Sequence, residues 1–134
     1  MTGIYFAHPI DHDTEQGFNS LYDSTIDQLI FAGAVVYRPS LAWSHDKTPR
    51  PALQKGNLAV LQVSDGMLAL WPGALMSIGL PIEVLIALQA GKRVALMTDI
   101  EGSWVLSWLE DVSQNHLQMF TLDQGSEAVE WVMK

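Results

Sequence analysis

Apolar and polar positions alternate along this chain in two kinds of run. Gly3 to Ala7 (GIYFA), Ala34 to Tyr37 (AVVY), Asp65 to Trp71 (DGMLALW) and Arg93 to Met97 (RVALM) are short, apolar and β-rich, and Gln118 to Thr121 is a shorter run of the same kind. Each predicts a strand. From Thr14 to Phe31 the apolar residues Phe18, Leu21, Tyr22, Ile26, Leu29 and Ile30 recur at helical spacing. Ala52 to Val63, Pro81 to Gln89, Gly102 to Val112 and Glu127 to Val132 predict further helices. Gly33 and Gly91 stand where a glycine ends a helix, and Pro81 suits a first helical position. Ser40 to Pro51 is polar and irregular and predicts a loop.

Strands and helices alternate throughout, which favours a parallel sheet with helices on both faces. The unbroken apolar run MLALW fits a strand buried on both sides. Such a sheet takes its ligand outside the carboxyl ends of its strands. The segments to inspect are therefore His8 to Asp13, Arg38 to Lys47, Pro72 to Glu83 and Thr98 to Gly102.

The 134 residues fit one domain, 1–134, with no repeat or linker. Seven basic residues face fifteen acidic ones, for a net charge of -8. That balance argues against a nucleic-acid polymer as partner. A small anion is compatible with it, because backbone N–H groups at a helix start can hold a phosphate. The chain has no cysteine, so disulfides and thiolate metal sites are excluded. No basic residue precedes Arg38, which does not suggest a secretory signal. The longest uncharged stretch, Met67 to Ile82, is broken by Pro72, Gly73, Gly79 and Pro81. A membrane-spanning helix is not expected there, and the expected location is the cytoplasm.

Two segments offer chemistry. His8-Pro9-Ile10-Asp11-His12-Asp13 holds four potential metal ligands, but the spacing matches no strong motif. Asp11 and Asp13 fit equally well as caps of the next helix, and no metal site is expected. The second segment runs from Trp71 through Ser77, Gly79 and Glu83: a strand, a Gly-containing loop and a helix start. Ser77 and Gly79 could bring a hydroxyl and bare backbone to a phosphate. Glu83 has a plain reading as a first-turn acid favoured by the helix dipole. It is also the one carboxylate in a greasy helix at the functional end of the sheet, where it could serve as nucleophile or base. Of the five tryptophans, most are expected in the core, while Trp104 and Trp108 share a helix and could face a partner subunit.

These segments resemble the nucleoside 2-deoxyribosyltransferase family, closest to its branch of 2′-deoxynucleoside 5′-phosphate N-hydrolases and CMP N-glycosidases. Ile4-Tyr5-Phe6-Ala7 resembles the family's first strand, and Ser77-Ile78-Gly79-Leu80-Pro81-Ile82-Glu83 its S-x-G-x-x-x-E segment. The resemblance implies a flavodoxin-like fold of five parallel strands. It implies Glu83 as nucleophile, Tyr5 as the residue orienting it, and Ser77 and Gly79 as holders of a 5′-phosphate. Ser107 falls where the hydrolase branch has a serine reaching a phosphate in the neighbouring subunit, which implies a homodimer or higher oligomer. Ile10 and Asp11 are the substrate-binding candidates of the first loop. There Pro9 and Asp11 replace the branch's usual Ser and Arg.

A further departure is Asn57. It stands eight residues ahead of Asp65, where the family carries a catalytic Asp. An amide can contact base or sugar but cannot deliver a proton. The expected activity is cleavage of the N-glycosidic bond of a nucleoside 5′-monophosphate through a glycosyl-enzyme, without metal or organic cofactor. Two alternatives stand beside it: a nucleoside 2-deoxyribosyltransferase acting on unphosphorylated nucleosides, and a nucleotide-binding sensor without turnover.

Overall fold

The structure is a computed structural model that describes residues 2–9, 17–39, 49–73, 77 and 79–134. Five strands, β1 (Thr2–Ala7), β2 (Ala34–Tyr37), β3 (Gly66–Trp71), β4 (Arg93–Thr98) and β5 (Leu117–Phe120), form one all-parallel sheet in the order β2-β1-β3-β4-β5. The described residues also form five helices: α1 (Asn19–Phe31), α2 (Arg50–Val63), α3 (Gly79–Gln89), α4 (Trp104–Val112) and α5 (Gly125–Val132). This is the flavodoxin-like order, with its switch point between β1 and β3. Among the described residues, no helix is long and apolar enough to cross a membrane.

The period of two along each strand sorts side chains between two cores. Tyr5, Ala7, Met67, Ala69, Trp71, Val94 and Leu96 pack toward α2, α3 and α4, against Leu61, Leu80, Val84, Leu106 and Leu109. Ile4, Phe6, Leu68, Leu70, Ala95 and Met97 pack toward α1 and α5, against Tyr22, Leu29, Val129 and Val132. Every residue of β3 is buried, as a central strand covered on both faces requires.

Hydrogen bonds brace both ends of the sheet. At the amino ends, the Gly3 amide donates to the Asp65 carboxylate at 2.7 Å, and the Asp65 amide returns a bond to the Gly3 carbonyl at 2.8 Å. The Lys92 ammonium donates to the Ser64 carbonyl beside them. At the carboxyl ends, the Thr98 hydroxyl donates to the Trp71 carbonyl at 2.7 Å and the Gly73 amide donates to Asp99. These bonds tie the exits of β3 and β4 together where the path toward α3 begins.

Several element boundaries differ from the sequence expectations. Helix α1 starts at Asn19, because Gly17 adopts φ +75° and cannot continue a right-handed helix. Its far end stops as expected, with Gly33 at φ +97°. Ile30 fits the apolar spacing yet is 55% exposed, while Thr25 is buried in the α1 face. Helix α2 begins at Arg50, so part of the expected loop is helical. Helix α3 begins at Gly79, which makes Pro81 its third residue, still within the turn whose N–H groups lack partners. Helix α4 begins at Trp104 behind Ser103, whose hydroxyl accepts from the Leu106 amide. Helix α5 begins at Gly125, two residues before Glu127. The tryptophans divide between core and surface. Of those described, Trp71 is buried, Trp131 is half-buried under the Arg93 guanidinium, and Trp104 and Trp108 are 77% and 48% exposed.

Strand β2 forms one edge of the sheet. It is four residues long, carries exposed Val35, and follows Ile30 and Phe31 at the end of α1, with Phe31 95% exposed.

Candidate active site

Strands β1 and β2 pair so that Tyr5 lies opposite Tyr37. Their rings stand side by side with centroids 5.4 Å apart. Each hydroxyl reaches a different helix. Tyr5 donates to a carboxylate oxygen of Glu83 on α3, and Tyr37 donates to Oδ1 of Asn57 on α2 at 2.9 Å. The result is a paired aromatic platform with a carboxylate at one end and a carboxamide at the other.

Glu83 sits in the second turn of a helix whose other residues, Gly79 to Gln89, carry no charge. Burial pushes its carboxyl above the ordinary range, and the Tyr5 hydrogen bond offsets part of that rise. Burial, then the Glu83 charge and hydrogen bond, and then Tyr37 hold the Tyr5 phenol far above its usual range. Tyr5 therefore stays protonated and remains a donor. A half-buried carboxylate aimed by one fixed donor can act as a nucleophile once it is ionised.

The start of α3 adds two features. The Ser77 hydroxyl accepts from the Leu80 amide at 3.2 Å, so it caps the helix while keeping its own proton to donate. Gly79 is exposed, and a Cβ added there would meet no described residue within 4 Å. Ser77, Gly79 and Glu83 thus share one helix start, and Tyr5 joins them through its bond to Glu83. Asn57 joins through Tyr37. Ser107 does not join them within one chain: it is exposed on α4 between Trp104 and Trp108 and makes no side-chain hydrogen bond with a described residue. Ile10 and Asp11 lie outside the described residues, as do His12 and Asp13. Among the described residues no three metal-ligating side chains converge.

Tyr37 is the residue that the sequence reading missed. The available signal was its place at the end of β2 with the same facing as Tyr5, which becomes informative only once β2 is known to pair with β1. A second polar cluster lies on the opposite face of the sheet at the same end. There His8 stacks on Tyr22 at 4.2 Å, and Arg38 donates to His8 Nε2 at 3.3 Å and to Asp23 at 2.7 Å. These contacts fasten α1 to the ends of β1 and β2. A groove of about 820 Å³ lies between α1 and α5, lined in part by Gln28, Phe31, Val129 and Met133, across the sheet from Glu83.

Tyr5→Phe removes the interaction that lowers the Glu83 pKa. If Glu83 must be ionised to react, the acid limb of kcat/KM moves to higher pH in this variant. Loss of aim adds a drop of roughly tenfold to a hundredfold at neutral pH. pH–rate profiles of both proteins check this, and coincident acid limbs would separate Tyr5 from the titration of Glu83.

No family model matches the sequence. No curated protein matches it by sequence either. Solved structures do match the fold. The CMP N-glycosidase BcmB of Clostridium botulinum superposes with a TM-score of 0.71 at 16% identity, over 98% of each chain. The chain shares this fold. A 2-deoxyribosyltransferase from the psychrotolerant bacterium Bacillus psychrosaccharolyticus gives 0.62 at 18% identity, over 84% of this chain and 91% of that one. A conserved protein of Enterococcus faecalis V583 gives 0.60 at 20% identity, over 98% and 87%.

Proposed function

We propose that this chain cleaves the N-glycosidic bond of a nucleoside 5′-monophosphate. The observation that carries the reading is the Tyr5–Glu83 pair: a half-buried carboxylate, aimed by a fixed hydroxyl, at the carboxyl end of a sheet shared with a CMP N-glycosidase. In the first step a Glu83 oxygen bonds to C1′ of the sugar, the C1′–N bond breaks, and its electron pair leaves with the base. In the second, water attacks C1′, loses a proton, and releases the Glu83 carboxylate and the sugar phosphate. The departing base needs a proton that Asn57 cannot transfer, and Asp11, Asp46 and water are its candidate sources. Ser77 and the Gly79 backbone hold the 5′-phosphate at the positive end of α3. Ser107 belongs to a site completed by a second copy, docked through Trp104 and Trp108 on the exposed face of α4. A fully active monomer by light scattering would remove Ser107 from the site.

The test is a panel of nucleosides and their 5′-monophosphates, with released base followed by chromatography. Monophosphates are expected to turn over better than nucleosides. Ser77→Ala is expected to raise KM for the monophosphate about tenfold, through loss of a charge-assisted hydrogen bond, while leaving the nucleoside nearly unchanged. Equal effects on both would favour the second reading, transfer of deoxyribose from an unphosphorylated nucleoside to a second base, which the likeness to a 2-deoxyribosyltransferase supports. Stabilisation by nucleotides with no base released would mark a sensor.

A further inference from the structure

Breaking a C1′–N bond leaves an electron pair on the base, and a poor leaving base needs a proton as it departs. Tyr5 is not available to supply it. Its hydroxyl is bound to Glu83, and burial beside that carboxylate keeps the phenol protonated far above the usual range. Asn57 has no acidic proton, and Asp11 and Asp46 lie outside the described residues. Tyr37 is placed differently from Tyr5. It lies opposite Tyr5 in the β1–β2 register and packs against the same core, but it is half-buried where Tyr5 is fully buried. Its hydroxyl meets Asn57 at 2.9 Å.

A hydroxyl both donates and accepts, and an amide has an end for each, so this bond exists in two forms. In one, Tyr37 donates to Oδ1. In the other the amide is turned over, Nδ2 donates to the Tyr37 oxygen, and the phenol proton is directed elsewhere. The second form can also hold a phenolate, through a charge-assisted bond. A carboxylate at position 57 could not do so, because it would set two negative oxygens together.

We propose that Tyr37 is the acid that protonates the departing base and the base that then takes a proton from the attacking water. The inference rests on the reading of Glu83 as the group that attacks C1′. As Glu83 bonds to C1′ and the C1′–N bond breaks, the electron pair goes to the base and the Tyr37 proton follows it. Tyr37 is left as a phenolate held by Nδ2 of Asn57. Water then enters where the base stood, bonds to C1′, gives its proton to the phenolate and displaces the Glu83 carboxylate. Tyr37 ends protonated, as it began. It is a catalytic residue, and Asn57 is a positioning residue that acts through it.

The test compares two leaving groups on one sugar phosphate. One is the base of whichever nucleoside 5′-monophosphate turns over best. The other is 4-nitrophenol, which leaves as a stable anion and needs no proton. Release is followed in the first turnover, before water enters. Tyr37→Phe is expected to slow base release at least about a hundredfold and to raise the ratio of nitrophenol to base release at least about thirtyfold. Asn57→Leu leaves the phenolate without its donor and is expected to raise the same ratio about tenfold. Replacing Tyr37 by 3,5-difluorotyrosine keeps the ring and the hydroxyl while lowering the phenol pKa. The alkaline limb of base release is then expected to move at least about one pH unit toward neutrality. That measurement stands even if Tyr37→Phe fails to fold.

A ratio unmoved by either substitution overturns the proposal, as does an alkaline limb that ignores fluorination. Glu83→Gln separates the two readings. If it abolishes release of both leaving groups while the Tyr37 changes leave ratio and limb unmoved, this inference alone falls. If base release survives Glu83→Gln while Tyr37→Phe still raises the ratio, the Glu83 reaction alone falls. If neither probe is cleaved, both fall.

Discussion

Glu83→Gln is expected to lower base release by at least about a thousandfold, because an amide is a poor nucleophile and the reaction loses its covalent step. The same change is expected to raise the melting temperature at neutral pH. The carboxyl is raised above its ordinary range by burial, so the stability it contributes is fully present below the ordinary carboxylate range. That contribution is lost as pH rises through the raised value. Above that raised value the ionised group sits where water would have solvated it better, and Gln removes that penalty while still accepting from Tyr5. The difference in melting temperature should therefore shrink toward zero as the pH falls. A pH series of thermal melts, beside chromatographic assay of released base, checks both halves. Retention of most of the activity would remove Glu83 from the role of nucleophile.

The second large effect lies on the other face of the sheet. Leu68 is fully buried in β3 and packs toward α1 and α5, whereas Glu83, Tyr5 and Asn57 belong to the opposite face. Leu68→Ala is expected to cost about 2–5 kcal/mol, from lost burial and the cavity left behind. In a domain of this size that amounts to a fall of roughly 10 °C in Tm. Activity per folded molecule should change little, since the strand's other face carries the contacts nearest the site. Denaturant melts combined with active-site titration separate the two quantities. A proportionate loss of specific activity would show that the two faces are coupled.

The parts of the fold legible in sequence were those set by local composition. The strand runs GIYFA, AVVY, DGMLALW and RVALM lie within a residue of the observed elements, because each is a short apolar run that must be buried. Helix limits were less legible. Phe18 continues the apolar spacing of α1, yet one glycine with positive φ cancels it. Ile30 has the right spacing and the wrong environment, because what covers a helix depends on its neighbours. In the candidate site, Glu83, Ser77 and Gly79 lie within one local segment and could be found together. Tyr37 could not, because its place beside Tyr5 depends on a strand order that no local pattern encodes. The bond from Gly73 to Asp99 is hidden for the same reason, since it joins the exits of two strands separated by a helix.

The open edge at β2 bears on how concentrated solutions of the protein behave. Among the described residues β2 pairs only with β1, and such an edge, near exposed Val35, Ile30 and Phe31, is a template for adding another strand. Its four-residue length limits that growth, and the net charge of -8 keeps approaching copies apart at neutral pH. Acidification protonates carboxylates and weakens the repulsion, while the apolar edge is unchanged. Colloidal stability should therefore fail from the acid side first, and added salt should bring that failure closer to neutrality by screening the charge that remains.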